Sequence, residues 1–335
     1  MIEATLGRVV AGEDLSMDEM SAAIKAIMQG RCGEGEIATL LTSLRAKGET
    51  VEEVAGAAAA MRKFMTPIRS DRDDLIDTCG TGGDGSGTFN ISTAAAIVTA
   101  AAGQPVAKHG NRAITSKTGS ADVLAALGVN VEADVQAVEH CLEELGICFC
   151  FAPLMHQSMK HVGPVRKKLG VPTIFNMLGP LTNPAGAPFQ LLGVGRPELR
   201  EMLAEALVLL GTRRALVVCG EDGIDEVSLA GVTNVSEATG AVHNFTWTPE
   251  DFGLEPAGSE SMLVDDPDSS ATMIRDLLAG QSGPPRDIVV INAAAALWTA
   301  GRDESPSRCA QIAVEAIDSG AALDLLAKLA ELSNA

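Results

Sequence analysis

The residues able to do chemistry stand in three clusters. The first is Asp77-Thr78-Cys79-Gly80-Thr81-Gly82-Gly83-Asp84-Gly85-Ser86-Gly87-Thr88, with Asn90, Ile91, Ser92 and Thr93 just beyond it. Glycines without a Cβ let backbone amides approach a phosphate closely, and a helix N-terminus adds a favourable field. The second is Lys108-His109-Gly110-Asn111-Arg112, followed by Thr115 to Asp122. Lys108, Arg112 and Lys117 place three cations within ten residues, interleaved with hydroxyls and glycine, which suits a loop closing over a highly charged anion. The third is Glu221-Asp222-Gly223-Ile224-Asp225-Glu226. Adjacent acids on a loop can both reach hydrated Mg²⁺, which prefers oxygen ligands and keeps waters while bridging to substrate phosphates. Each cluster also has a plainer reading: a glycine turn with N-caps, a solvated basic loop, and a solvated acidic turn.

The first cluster contains Gly80, Gly82 and Gly85 in the Gly-x-Gly-x-x-Gly pattern, a weak signal by itself. A dinucleotide site wants an acid at the end of the next strand for the ribose diol. Here that strand ends in Lys108-His109, and a cation suits a further phosphate instead. The Walker Gly-Lys-Ser/Thr pattern is absent. A phosphorylated sugar or a pyrophosphate is therefore the expected ligand.

These clusters need elements to position them. Residues 1–70 read as all-helical. Ser16 with Glu19 and Thr50 with Glu53 form capping boxes, and Met17, Met20, Ile24 and Ile27, then Ile37, Leu40, Leu41 and Leu44, follow helical spacing. After Asp71 short apolar runs alternate with helical stretches. Strands are expected at Leu75-Ile76, Pro105–Ala107, Ile147–Phe151, Gln190–Val194, Ala215–Cys219 and Ile288–Ile291, with helices between. Such alternation predicts an α/β fold: a mostly parallel central sheet flanked by helices, over 71–335. Ligands of such sheets sit beyond the carboxyl ends of the strands, where the clusters fall. An inserted helical segment around 155–185 is expected to pack back on the N-terminal helices.

A net charge of −19 argues against a nucleic-acid or anionic-membrane partner. Seven scattered Cys do not resemble a disulfide framework, and Cys148 and Cys150 read as buried strand residues. No secretory signal is visible and no stretch approaches a membrane span, so a cytoplasmic protein is expected.

Taken in order, Gly80-Thr81-Gly82-Gly83-Asp84, Asn90-Ile91-Ser92-Thr93, Lys108-His109-Gly110-Asn111-Arg112, Gly119-Ser120-Ala121-Asp122 and Asp225-Glu226 resemble the motifs of the anthranilate phosphoribosyltransferases. Phe151 to His156, Pro164-Val165-Arg166 and Asn176 to Pro184 extend the resemblance over essentially the whole chain. It implies a small discontinuous helical domain, a larger α/β domain and a homodimer. It implies transfer of the phosphoribosyl group from phosphoribosyl pyrophosphate to the amine of anthranilate, with two Mg²⁺ ions. By the same resemblance Gly80, Gly83, Asp84, Thr88, Asn90, Ile91, Ser92, Thr93, Lys108, His109, Gly110, Asn111, Arg112, Ser116 and Ser120 would hold phosphoribosyl pyrophosphate. Lys108 would stabilise the transition state, with no covalent nucleophile. Ser92, Asp225 and Glu226 would serve the metal. Gly80, Asn111, Pro153, Met155, His156 and Arg166 would contact anthranilate, and a guanidinium such as that of Arg166 pairs bidentately with a carboxylate. Two departures are minor: Ile114-Thr115-Ser116 stands where a Ser-Ser pair is common, and Gln157 follows His156 where Pro is common.

Two rivals share the scaffold. A pyrimidine nucleoside phosphorylase has a related glycine loop, but Gly-Thr-Gly-Gly-Asp, Lys-His-Gly-Asn-Arg and Asp225-Glu226 favour the transferase. A non-catalytic nucleic-acid binder is disfavoured by the charge and the intact acid pair.

Overall fold

The computed structural model describes residues 2–113 and 117–335. Ser116, and with it the Ile114-Thr115-Ser116 departure, lies outside the described residues.

The chain opens with four helices: α1 (Ile2–Val10), α2 (Met17–Met28), α3 (Glu34–Lys47) and α4 (Val51–Arg62). Both predicted capping boxes are present, Ser16 with Glu19 and Thr50 with Glu53. Glu53 does more than cap. Its carboxylate is fully buried and accepts the Leu15 amide at 3.0 Å, the Thr50 amide at 2.9 Å and the Lys47 ammonium at 2.8 Å. One side chain thus ties the ends of three helices together.

The remainder is built on seven strands: β1 (Ile76–Gly80), β2 (Val106–Gly110), β3 (Ile147–Phe151), β4 (Phe189–Gly193), β5 (Arg214–Gly220), β6 (Thr233–Ala238) and β7 (Val242–Trp247). They form one sheet in the order β3-β2-β1-β4-β5-β6-β7. The first five are parallel, and β6 and β7 add an antiparallel hairpin. The helices are α5 (Ile91–Ala101), α6 (Ser120–Ala126), α7 (Val135–Leu145), α8 (Ala152–Met155), α9 (Gly163–Leu169), α10 (Phe175–Leu178), α11 (Glu198–Leu209), α12 (Pro267–Leu278), α13 (Pro284–Thr299), α14 (Pro306–Asp318) and α15 (Ala321–Ser333). Strand order reverses between β1 and β4, which makes their carboxyl ends the natural crevice for a ligand.

Two cores flank the sheet. One joins β1, β2 and β3 to α5, α7, α13 and α14 through residues such as Ile76, Val106, Ile97 and Val290. The other joins α2, α3, α4 and α11 to Val162, Val165, Ile174 and Phe175. Val162, Val165, Ile174 and Phe175 pack in one cluster with the N-terminal helices. Cys148 and Cys150 are buried in β3 and carry free thiols. No helix among the described residues is long and apolar enough to cross a membrane.

Two local readings differ from the structure. Ile288–Ile291 is not a strand; all four residues are buried inside the sixteen-residue helix α13. A short β-branched run gives the same signal in a buried helix as in a buried strand. The β6–β7 hairpin went unread because β7 is largely polar and partly exposed, with no apolar run to mark it.

Candidate active site

Each cluster leaves the sheet at a carboxyl end: the glycine loop after β1, the basic loop after β2, the acid loop after β5. The glycine loop needs unusual backbone. Gly82, Gly83, Gly85 and Gly87 have φ of 68°, 77°, 73° and 71°, a region that L side chains avoid. Asp225 Oδ2 accepts the Gly82 amide at 2.9 Å, and Glu226 Oε1 accepts the Ser92 amide at 3.0 Å. The acid loop is therefore fastened to both the glycine loop and the first turn of α5.

Lys108 projects from β2 into the same place. Its ammonium is buried and donates to the Thr78 carbonyl, and to Ser92 Oγ at 3.3 Å. Burial lowers its pKa, opposed by the charge of Asp77. Burial, then the neighbouring Asp84, pushes Asp225 up to about 7. Burial, then Asp225, raises Glu226 well above the ordinary carboxyl range. Carboxylates held together against burial and mutual repulsion favour positive charge beside them, as Lys108 supplies for Glu226. Among the described residues no group of three or more His, Cys, Asp or Glu forms a closed metal cage. A hard cation such as Mg²⁺ shares its coordination with substrate phosphates and water. The oxygen donors Ser92, Asp225 and Glu226 fit Mg²⁺ on this chemistry.

A second centre lies beside the first. His109 Nδ1 faces the Gly179 carbonyl at 3.1 Å, and its Nε2 is 3.2 Å from His156 Nε2. A carbonyl only accepts, so Nδ1 of His109 carries the proton and its Nε2 faces His156 with a lone pair, while His156 is itself hydrogen-bonded to the Thr182 backbone. Burial, then His156, brings His109 down to about 3, and burial brings His156 to about 4. Both rings are neutral near pH 7. Met155 is buried beside His156, whereas Pro153 is exposed on α8.

The remaining candidates divide. Ile91 and Thr93 are buried in the first turn of α5, where the Thr93 hydroxyl has no partner. Asn90 is held in a web, its Oδ1 accepting from Thr118 and Ser270, both at 2.9 Å. Thr88 pairs with Ser86 at 3.0 Å. Gly110 ends β2, and the Asn111 carbonyl accepts the Ser120 hydroxyl at 3.3 Å. Two of the three predicted cations are turned to carboxylates instead of the glycine loop. Arg112 pairs with Asp122 and Glu132, and Lys117 with Asp265. Arg166 on α9 sits over the Phe175 ring, 5.7 Å from its centroid, and donates to Asn176 at 3.2 Å.

Three residues escaped the sequence reading. Gly193, the last residue of β4, and Gly195, just beyond it, let the acids approach. A Cβ on Gly193 would lie 1.6 Å from the Asp225 carbonyl oxygen, and one on Gly195 would lie 2.7 Å from Asp84 Cβ. The pattern Gly193-Val194-Gly195 at a strand end was the available signal. Asn292, buried in α13, clamps the residue after Glu226: its Oδ1 accepts the Val227 amide at 2.9 Å and its Nδ2 donates to the Val227 carbonyl at 3.0 Å. Taking its neighbours for a strand hid it.

Residues 72–323 match the family described as the glycosyl transferase family, a/b domain, and residues 4–65 match its helical bundle domain. The anthranilate phosphoribosyltransferase of Rhodopirellula baltica is 54% identical over 321 residues, 96% of this chain and 94% of that protein. That of Anaeromyxobacter is 49% identical, covering 98% of each chain. The crystal structure of anthranilate phosphoribosyltransferase from Thermus thermophilus superposes with a TM-score of 0.93 at 44% identity, covering 98% of this chain and 99% of that one. The Saccharomyces cerevisiae enzyme in complex with phosphoribosyl pyrophosphate and Mg gives 0.90 at 29% identity, covering 99% and 98%. With this fold, these motifs and these relatives, the chain belongs to the anthranilate phosphoribosyltransferases.

Proposed function

We propose that the protein transfers the phosphoribosyl group of phosphoribosyl pyrophosphate to the amine of anthranilate, giving N-(5-phosphoribosyl)anthranilate and pyrophosphate in tryptophan biosynthesis. The observation that carries this is the meeting of the glycine loop, Lys108 and the Asp225–Glu226 pair at the carboxyl ends of β1, β2 and β5. The anthranilate amine attacks C1 of the ribose from the side opposite pyrophosphate. An aromatic amine is nucleophilic when neutral, so no strong base is needed. The leaving group carries most of the difficulty. Loop amides around Gly83 and Asp84, Ser92 and Lys108 stabilise the charge growing on it. Ser92, Asp225 and Glu226 would hold Mg²⁺, two ions with the substrate, whose chemistry when bound is neutralisation of that charge. Asn90, Thr93, Asn111, Ser116 and Ser120, joined by Arg112 once it leaves Asp122 and Glu132, bind the phosphates and ribose; Gly80, Asn111, Pro153, Met155, His156 and Arg166 bind anthranilate. Holding both substrates in one geometry supplies much of the rest.

The helical domain of residues 1–70 is completed by the segment around 155–185, and 71–335 forms the catalytic domain. The shared core of α2–α4 with Val162, Val165 and Ile174 supports this division. The protein works as a cytoplasmic homodimer.

Mass spectrometry of the products tests the reaction. N-(5-phosphoribosyl)anthranilate and pyrophosphate in equal amounts are expected. Phosphorolysis of a nucleoside, with anthranilate untouched, would replace this reading with the phosphorylase.

A further inference from the structure

Strands β1 and β2 are neighbours, yet they pair only at Ile76 opposite Val106. On their other sides the same strands pair along their whole length, β1 with β4 and β2 with β3. In a parallel ladder the next pair would set Thr78 opposite Lys108. That would place the His109 N–H on the Thr78 carbonyl and the Thr78 N–H on the Ala107 carbonyl. Three side chains take these groups instead. The His109 N–H donates to Asp77 Oδ1 at 3.1 Å. The Thr78 carbonyl accepts the Lys108 ammonium. The Ala107 carbonyl accepts Asn183 Nδ2 at 2.7 Å. Asp77, Lys108 and Asn183 are all buried.

The parting is where function needs it. A side chain in a closed ladder stands perpendicular to the sheet. Here the Lys108 ammonium reaches the Thr78 carbonyl across the gap and meets Ser92 Oγ at 3.3 Å. The arrangement is unfavourable for folding alone. Asp77 Oδ2 is buried without a hydrogen-bond partner, although the Asn183 amide and Cys79 thiol lie against the carboxylate. A half-satisfied acid in a central strand costs stability that an apolar residue would not. Local rules are broken in this way chiefly where a site demands it.

We propose that Asp77 and Asn183 are positioning residues that wedge β1 and β2 apart, so that the Lys108 ammonium occupies the gap and faces the pyrophosphate site. The proposal rests on the reading above only in assigning Lys108 to pyrophosphate. Asn183 follows α10, whose core is shared with the N-terminal helices, so the wedge also ties the Lys108 ammonium to that part of the molecule.

A double-mutant cycle on the full-length protein tests it. Asp77→Ala and Asn183→Ala are each expected to lower kcat/KM for phosphoribosyl pyrophosphate by about thirtyfold in the wild-type background, and by less than about threefold when Lys108 is already Ala. Asp77→Asn, which keeps an acceptor for the His109 N–H, is expected to recover most of the loss. Equal losses in both backgrounds would show a purely structural role and overturn the proposal, as would no loss. Should Asp77→Ala fail to fold, Asn183→Ala and Asp77→Asn decide the same question. Inactivity of the wild-type protein would defeat the functional reading and not the wedge. A crystal structure of Asn183→Ala tests the wedge without turnover: Lys108 withdrawn from Ser92 and a new Thr78–His109 ladder bond are expected, and an unmoved Lys108 would overturn it.

Discussion

The Asp225 carboxylate accepts the Gly82 amide at 2.9 Å, so the acid loop after β5 and the glycine loop after β1 form a single construction. Glu226 repeats the link on Ser92, and Lys108 reaches Ser92 from the other side. Groups 143 and 134 residues apart in the chain are held to within hydrogen-bond tolerance by strand order, by the close approach that Gly193 and Gly195 permit and by the Asn292 clamp. That relationship makes the site vulnerable in ways that can be measured.

Replacing Asp225 by Asn and Glu226 by Gln together removes charge while keeping shape. Turnover at saturating Mg²⁺ should fall by at least about 100-fold, the scale of losing a key electrostatic group. Because the two acids sit against like charge, the same variant should melt higher than wild type in EDTA. Steady-state rates and calorimetry check both. Wild-type rates would reject the metal role.

Gly195→Ala removes no functional atom, yet its Cβ would lie 2.7 Å from Asp84 Cβ. The glycine loop must shift to admit it. A stability loss of about 1–3 kcal/mol is expected from overpacking, with a raised KM for phosphoribosyl pyrophosphate. A crystal structure with Asp84 unmoved and unaltered kinetics would show that the close approach is incidental.

The His109–His156 pair sets an acid limit on stability. Both folded pKa values, about 3 and about 4, lie below the ordinary 6.5. The unfolded chain therefore takes up protons first as pH falls. Stability is complete above pH 6.5 and is lost progressively on acidification towards the folded values. Between pH 6.5 and 5 the loss is at most about 2 kcal/mol per ring. Denaturant titrations at the two pH values check it. His156→Gln should flatten the dependence, and an equally steep one would contradict the buried neutral pair.

Glu53→Ala removes the carboxylate that ties Leu15, Thr50 and Lys47 and leaves the Lys47 ammonium short of a partner. A loss of about 3–5 kcal/mol is expected. The loss should appear as early unfolding of the N-terminal helices in hydrogen exchange. Uniform protection across those helices would contradict it.

Much of this architecture was legible because its signals are local. Ser16-Met17-Asp18-Glu19 caps a helix by its own side chains, Ile147 to Phe151 is apolar throughout, and the dense glycine loop marks its strand end. What escaped depends on partners distant in sequence. Arg112 carries the charge for a phosphate but pairs with Asp122 and Glu132. Asn292 became a clamp on Val227 only because α13 passes behind the acid loop. The wedge of Asp77 and Asn183 needs β1 and β2 side by side, and nothing in the spacing of those residues announces it.

The most direct test of the central claim is anthranilate fluorescence with purified protein, phosphoribosyl pyrophosphate and Mg²⁺. Fluorescence should fall only when all three are present, and EDTA should abolish the fall. Undiminished fluorescence at high concentrations of folded protein would contradict the account and direct attention to nucleosides with phosphate.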